Sequence, residues 1–180
     1  EQQTFCIFPT ITFGAKSYHF SKPEGNSFKS ITKQNLNSIP YNSLVLISFG
    51  EIDCRNDEGF ISAAKKTGMQ LAALVEKTVI GYLKWFLNAN LINKHNFFFF
   101  NVPTPVYDKN FTLSVNQDRA KVVRLFNETL EKHIGVYSFG LIDVYRPTRA
   151  ENSFSNSLYH CDGYHLDSRI LGVIERQIVK

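Results

Sequence analysis

Four short runs of this chain are apolar almost without interruption: Thr4–Phe8, Leu44–Phe49, Asn96–Val102 and Tyr137–Val144. A strand with one face in water alternates apolar and polar residues, whereas an uninterrupted run suits a strand covered on both faces. Val45, Ile47, Phe97, Phe99 and Ile142 are of the β-branched or aromatic types that such strands favour. Parallel strands need crossover segments, usually helical. The stretches between the later runs have that character. From Ile61 to Asn93, Ala72, Val75, Val79, Leu83 and Phe86 recur at helical spacing, and Gly68 and Gly81 are expected to bend or break the segment. Ser114 and Gln117 form a capping-box pattern ahead of the stripe Ala120, Val123, Phe126, Leu130 and Ile134, with Gly135 as the expected stop. A last helix is expected from Ser168 to Val179. This alternation predicts an α/β sandwich with an open, mainly parallel sheet.

With 180 residues, 43% of them apolar and 20% charged, residues 1–180 are expected to form one domain whose core needs no disulfides. The net charge of +4 comes from scattered basic residues, and Lys65-Lys66 reads as a solvated helix face, so nucleic acid is not an expected partner. Phe97–Phe100 is far shorter than the roughly 18 apolar residues that span a bilayer, and no membrane partner is expected. The three cysteines, Cys6, Cys54 and Cys161, are too few and odd in number for a disulfide framework, which favours a reducing, cytoplasmic setting. The sequons at Asn110 and Asn127 arise easily by chance in an Asn-rich chain. No charged-then-apolar signal segment opens the chain, and an apolar run begins within a few residues of Glu1. That start reads as part of a longer polypeptide.

Two islands carry chemistry. Asp162-Gly163-Tyr164-His165 places a carboxylate and an imidazole three residues apart, after the polar loop Arg146–Tyr159. A Ser-His-Asp hydrolase needs a base and a group that orients it, and such a pair supplies both. Alone, the pair is a weak signal and fits a surface loop better. The second island, Phe49-Gly50-Glu51-Ile52-Asp53-Cys54-Arg55, ends an apolar run. In open parallel sheets ligands bind at the carboxyl ends of strands. The turns after Phe8, Phe49 and Val102 fall there, and the Asp162–His165 loop has to reach the same edge.

With these residues in view, the chain resembles the SGNH (GDSL-like) hydrolase superfamily, and within it the branch whose third block reads Gly-Glu-Ile-Asp-Cys-Arg. The resemblance implies a flavodoxin-like, three-layer sandwich. It is sharp at three places: Gly14 in Thr12-Phe13-Gly14-Ala15-Lys16-Ser17, Gly50 to Asp53, and Asp162 to His165. It implies His165 as general base, Asp162 as the group that fixes its tautomer, and Gly14 and Gly50 as backbone oxyanion donors. Pro103 and Pro105 fall where the family often has a proline-containing loop.

Two departures follow. The Gly-Asp-Ser block that supplies the family's nucleophile is absent, and is expected upstream of Glu1. The usual Asn of the third block is Ile52, so Arg55 or main-chain N–H groups would replace its donor. Asp53 is expected to order the loop or pair with Arg55. Ser17 reads as a helix-start residue and not as a nucleophile. Cys54, Cys161, His160 and His165 suit zinc chemically, but the paired spacings of zinc modules are missing, and neither metal nor cofactor is expected. The implied activity is ester hydrolysis or acyl transfer on a small-molecule or carbohydrate ester; the alternative is a catalytically silent glycan-binding or scaffolding domain.

Overall fold

Asn96–Phe100 forms the central strand, β2, of the computed structural model, which describes residues 7–178. It pairs in parallel with β1 (Leu44–Ile47) on one side and β3 (Gly140–Ile142) on the other, in the order β1-β2-β3. Leu44 lies opposite Asn96, and Phe98 lies opposite Gly140. Among the described residues seven helices accompany this sheet: α1 (Ser17–Ser21), α2 (Ser27–Ser38), α3 (Phe60–Thr67), α4 (Leu71–Ala89), α5 (Leu113–Ile134), α6 (Tyr145–Thr148) and α7 (Leu171–Ile178).

Alternate side chains of the strands face two different cores. Ile47, Phe97 and Phe99 point into the larger one, with Phe20 of α1, Val79, Tyr82 and Phe86 of α4, and Val122, Phe126 and Leu130 of α5. Leu46, Phe98 and Phe100 face a smaller one, built with Ile142, Ile170 and Val173, Ile174 and Ile178 of α7. The fold is therefore mixed α/β with an open, parallel, three-stranded sheet. Phe97 and Phe99 are buried while Phe98 and Phe100 are only partly so, because a single short helix covers that face.

The strands are shorter than the apolar runs, for local reasons. Asn127 of α5 takes both backbone groups of Val102, accepting its N–H at 2.8 Å and donating to its carbonyl at 2.8 Å, so β2 cannot continue. Gly135 has φ −65° and does not end α5 in the left-handed conformation; the helix tightens into a single 3₁₀ turn at Gly135–Tyr137, and the reversal falls at Ser138, with φ +57°. The expected first strand Thr4–Phe8 falls partly outside the described residues, and Ile7 and Phe8 are exposed and belong to no strand.

The helix expected from Ile61 divides at Gly68, whose φ of +68° caps α3. Gly81 does not break α4. A Cβ there would lie 2.8 Å from the Ser21 carbonyl oxygen, so the glycine lets α1 lie directly on α4. Gly81→Ala is expected to destabilise the fold by about 1–2 kcal/mol, because backbone overpacking outweighs the ~1 kcal/mol gain in helix propensity. Urea unfolding checks this, and a net gain in stability would contradict the packing. The cap of α5 is Thr112, which accepts the Val115 N–H at 3.4 Å, two residues before the expected Ser114.

Candidate active site

The loops that leave the sheet at its carboxyl edge are tied together by polar side chains. After β2, the Asn101 carboxamide accepts the N–H groups of Val144 and Tyr145 and donates to Asp143. The Thr104 N–H donates to Thr148 Oγ1 at 2.9 Å. After β1, the chain turns at Gly50 into a short 3₁₀ turn, Ile52–Cys54. Three stretches of the sequence meet around that turn, in chain order the first, second and third islands: Gly14–Ser17, Gly50–Arg55 and Asp162–His165.

Asp53 joins the first island to the second. Its side chain is 2% exposed and accepts the Ser17 N–H at 2.7 Å and the Tyr18 N–H at 3.0 Å, at the start of α1. Arg55 is therefore not its partner. Burial pushes the Asp53 carboxyl up to about 6, and the N–H donors of Tyr18 and Ser17 offset this only in part. Below that value and above the ordinary carboxylate value, the fold holds a proton that the unfolded chain has released. The resulting stabilisation is complete at the acid end and is lost as pH rises through about 6. Relative to Asp53→Asn, which does not titrate, the wild-type protein is expected to lose about 2 kcal/mol of stability between pH 4 and 7. Urea unfolding of both proteins across that range checks it; a difference that grows with pH would contradict the sign.

Ser17 begins α1, and its hydroxyl is fully buried with no hydrogen-bond partner among the described residues. That placement suits a structural residue, not a nucleophile. Gly14 lies in the exposed turn before it, with φ +69° and open space where a Cβ would stand. Gly50 is different. Its φ is +119°, and a Cβ would come within 2.5 Å of the Phe126 ring, so what forbids a side chain here is the core and not a substrate.

Arg55 directs its donors to carboxylates. Nε and Nη2 bind Glu51, the latter at 2.8 Å, and Nη1 binds Glu58 at 3.2 Å. Lys16 reaches the same Glu58, at 3.1 Å. Glu51 also accepts from Nη2 of Arg119, at 3.5 Å. Arg119 is nearly buried on the inner face of α5, and its Nε has no partner among the described residues.

In the third island, His165 Nδ1 lies 2.7 Å from Asp162 Oδ2, and Asp162 Oδ1 accepts the N–H groups of Tyr164 and His165, each at 2.7 Å. These bonds hold the Asp162 carboxyl well below the usual carboxylate range. An ionised carboxylate only accepts, so Nδ1 carries the proton and the lone pair of neutral His165 is on Nε2. Both side chains are open to solvent, His165 by 70% and Asp162 by 51%. Tyr164, between them in sequence, places its ring 4.6 Å from the guanidinium carbons of both Arg55 and Arg119. No hydrogen bond joins His165 to Gly14 or Gly50.

Sequence reasoning did not single out Glu51, Arg119 or Tyr164. A polar residue on the apolar stripe of α5, one turn before Val122 and Val123, is the signal that marks Arg119. It also passed over a Ser-His contact: Ser155 Oγ lies 2.9 Å from His160 Nδ1. Ser155 Oγ accepts the Ser157 N–H as well, which fixes it in a turn, and burial together with Arg119 pushes the His160 imidazole down. Cys54 is buried, where its thiol is pushed up, and Cys161 is exposed. Among the described residues no three His, Cys, Asp or Glu side chains group as a metal site, and no helix is long and apolar enough to cross a membrane. No protein-family model matches the chain, and neither does any curated protein.

Proposed function

We propose that this chain supplies the base and its orienting carboxylate to an SGNH-like serine esterase or O-acyltransferase of flavodoxin-like architecture, acting on an O-acyl group of a carbohydrate. The reading rests on one observation above the others: an ionised Asp162 accepts from His165 Nδ1 and leaves Nε2 as the basic nitrogen. Nε2 would take the proton of a serine hydroxyl as it attacks the ester carbonyl, and return it to the departing alkoxide. Water or a sugar hydroxyl then completes hydrolysis or transfer. The exposure of His165 and Asp162 suits a large, hydrated acceptor better than a small ligand enclosed in a pocket.

The serine belongs, in this reading, to a segment preceding Glu1. Among the described residues β1 pairs only with β2. Beside β1 runs a groove of about 270 Å³, lined by Thr10, Ile11 and Thr12 together with Leu36, Val45 and Phe49. A polypeptide that includes the preceding segment is expected to hydrolyse a short-chain nitrophenyl ester and to bind a fluorophosphonate at a serine upstream of Glu1. Absence of both turnover and label would favour the silent glycan-binding domain, and a label on Ser155 would move the nucleophile into this chain.

A further inference from the structure

The hydrogen bonds of Asp162 fix the shape of its loop but not its place, because its partners are Tyr164 and His165 of the same loop. Cys161 and His165 are likewise joined to each other, by a backbone bond of 3.0 Å. The contact that leaves the loop toward the turn after β1 is the Tyr164 ring, with Arg55 and Arg119 each 4.6 Å from its centre. The two cations come from different parts of the fold, one from the turn after β1 and one from α5. Glu51 joins them, at 2.8 Å and 3.5 Å. The electron-rich face of an aromatic ring attracts a guanidinium, and a desolvated cation such as Arg119 gains most from it.

We infer that Tyr164 is a positioning residue whose ring, held by Arg55 and Arg119, keeps the Asp162–His165 pair against the Gly50–Arg55 turn. Only the catalytic consequence rests on the esterase reading; the placement of the loop does not. The hydroxyl is dispensable, the aromatic face is not. Tyr164→Phe therefore retains the arrangement, Tyr164→Leu keeps apolar bulk without the face, and Tyr164→Ala removes both. The ring is half-buried at the surface, so these variants leave the two cores intact.

Amide hydrogen exchange across residues 161–166 of the full chain provides the first readout. Exchange is expected to rise about tenfold in Tyr164→Ala and Tyr164→Leu and to stay at the wild-type rate in Tyr164→Phe. In an active polypeptide kcat falls about tenfold in Ala and Leu with KM unchanged, as for a misplaced base. If Leu behaves as Phe does, or if Ala leaves exchange at the wild-type rate, the positioning role is overturned. A wild-type polypeptide without esterase activity, but with these exchange differences among the variants, would remove the esterase proposal and leave the role of Tyr164 standing.

Discussion

In a polypeptide that carries the proposed upstream serine, His165→Ala is expected to lower ester turnover by a thousandfold or more, with the fold unchanged. A positioned general base contributes roughly 10²–10⁴ to rate, and in a triad its loss also deprives the serine of its activation. The side chain is 70% exposed and, among the described residues, makes its one side-chain hydrogen bond to Asp162, so little stability goes with it. Asp162→Asn tests the same point more sharply. Asp162 Oδ1 is committed to two N–H donors, so the carboxamide oxygen of Asn has to take that position. Its NH₂ group then faces His165 Nδ1 and donates to it. The imidazole proton moves to Nε2, where the base is needed, and turnover is expected to fall by roughly 10³–10⁴ for a tautomeric reason alone. Kinetics on a short-chain nitrophenyl ester decide both; equal turnover in wild-type and His165→Ala proteins would remove His165 from the mechanism.

Gly50→Ala carries the largest expected loss of stability, about 3–5 kcal/mol. Two costs add. An L-residue at φ +119° is strained by about 1–3 kcal/mol. The new Cβ also meets two carbons of the Phe126 ring at 2.5 and 2.7 Å and Val102 Cγ2 at 3.3 Å. Phe126 is fully buried beneath α5 and has nowhere to go, so overpacking adds about 1–3 kcal/mol. A domain of this size loses roughly 2–4 °C of Tm per kcal/mol, which puts the expected shift near 10 °C or beyond. Gly14→Ala is the control. It shares the left-handed backbone but meets open space, and is expected to cost only about 1–2 kcal/mol. Similar Tm values for the two variants would contradict the packing argument.

The central strands were legible because Leu44–Ile47 and Asn96–Phe100 are too apolar to stand anywhere but inside a covered sheet. Their ends were not, because they are set by distant groups. Nothing near Val102 in the sequence announces that the Asn127 carboxamide will take its backbone. Helix α2 escaped notice because its twelve residues are mostly polar and bury only Lys29, Thr32 and Leu36, although Asn26 as its cap, accepting the Lys29 N–H, was a readable start signal. In the candidate site, Asp162 and His165 were legible from spacing, and their 2.7 Å contact is local. Asp53 was legible as a loop-ordering residue but not its partners, since Ser17 and Tyr18 lie far away in the chain. Arg119 and Tyr164 meet only in three dimensions, and each by itself looks ordinary: an arginine on a long helix and a tyrosine in a loop.

The unequal thickness of the two layers has a dynamic consequence. The face with Phe97 and Phe99 is sealed by several helices, whereas the face with Phe98 and Phe100 is closed by α7 and its preceding turn. Partial openings of a protein begin where the fewest apolar contacts must be given up. Tyr159 and Leu166, which bracket the Asp162–His165 loop, pack into that thinner layer. The Asp162–His165 contact is thus expected to open and re-form more readily than the deep core.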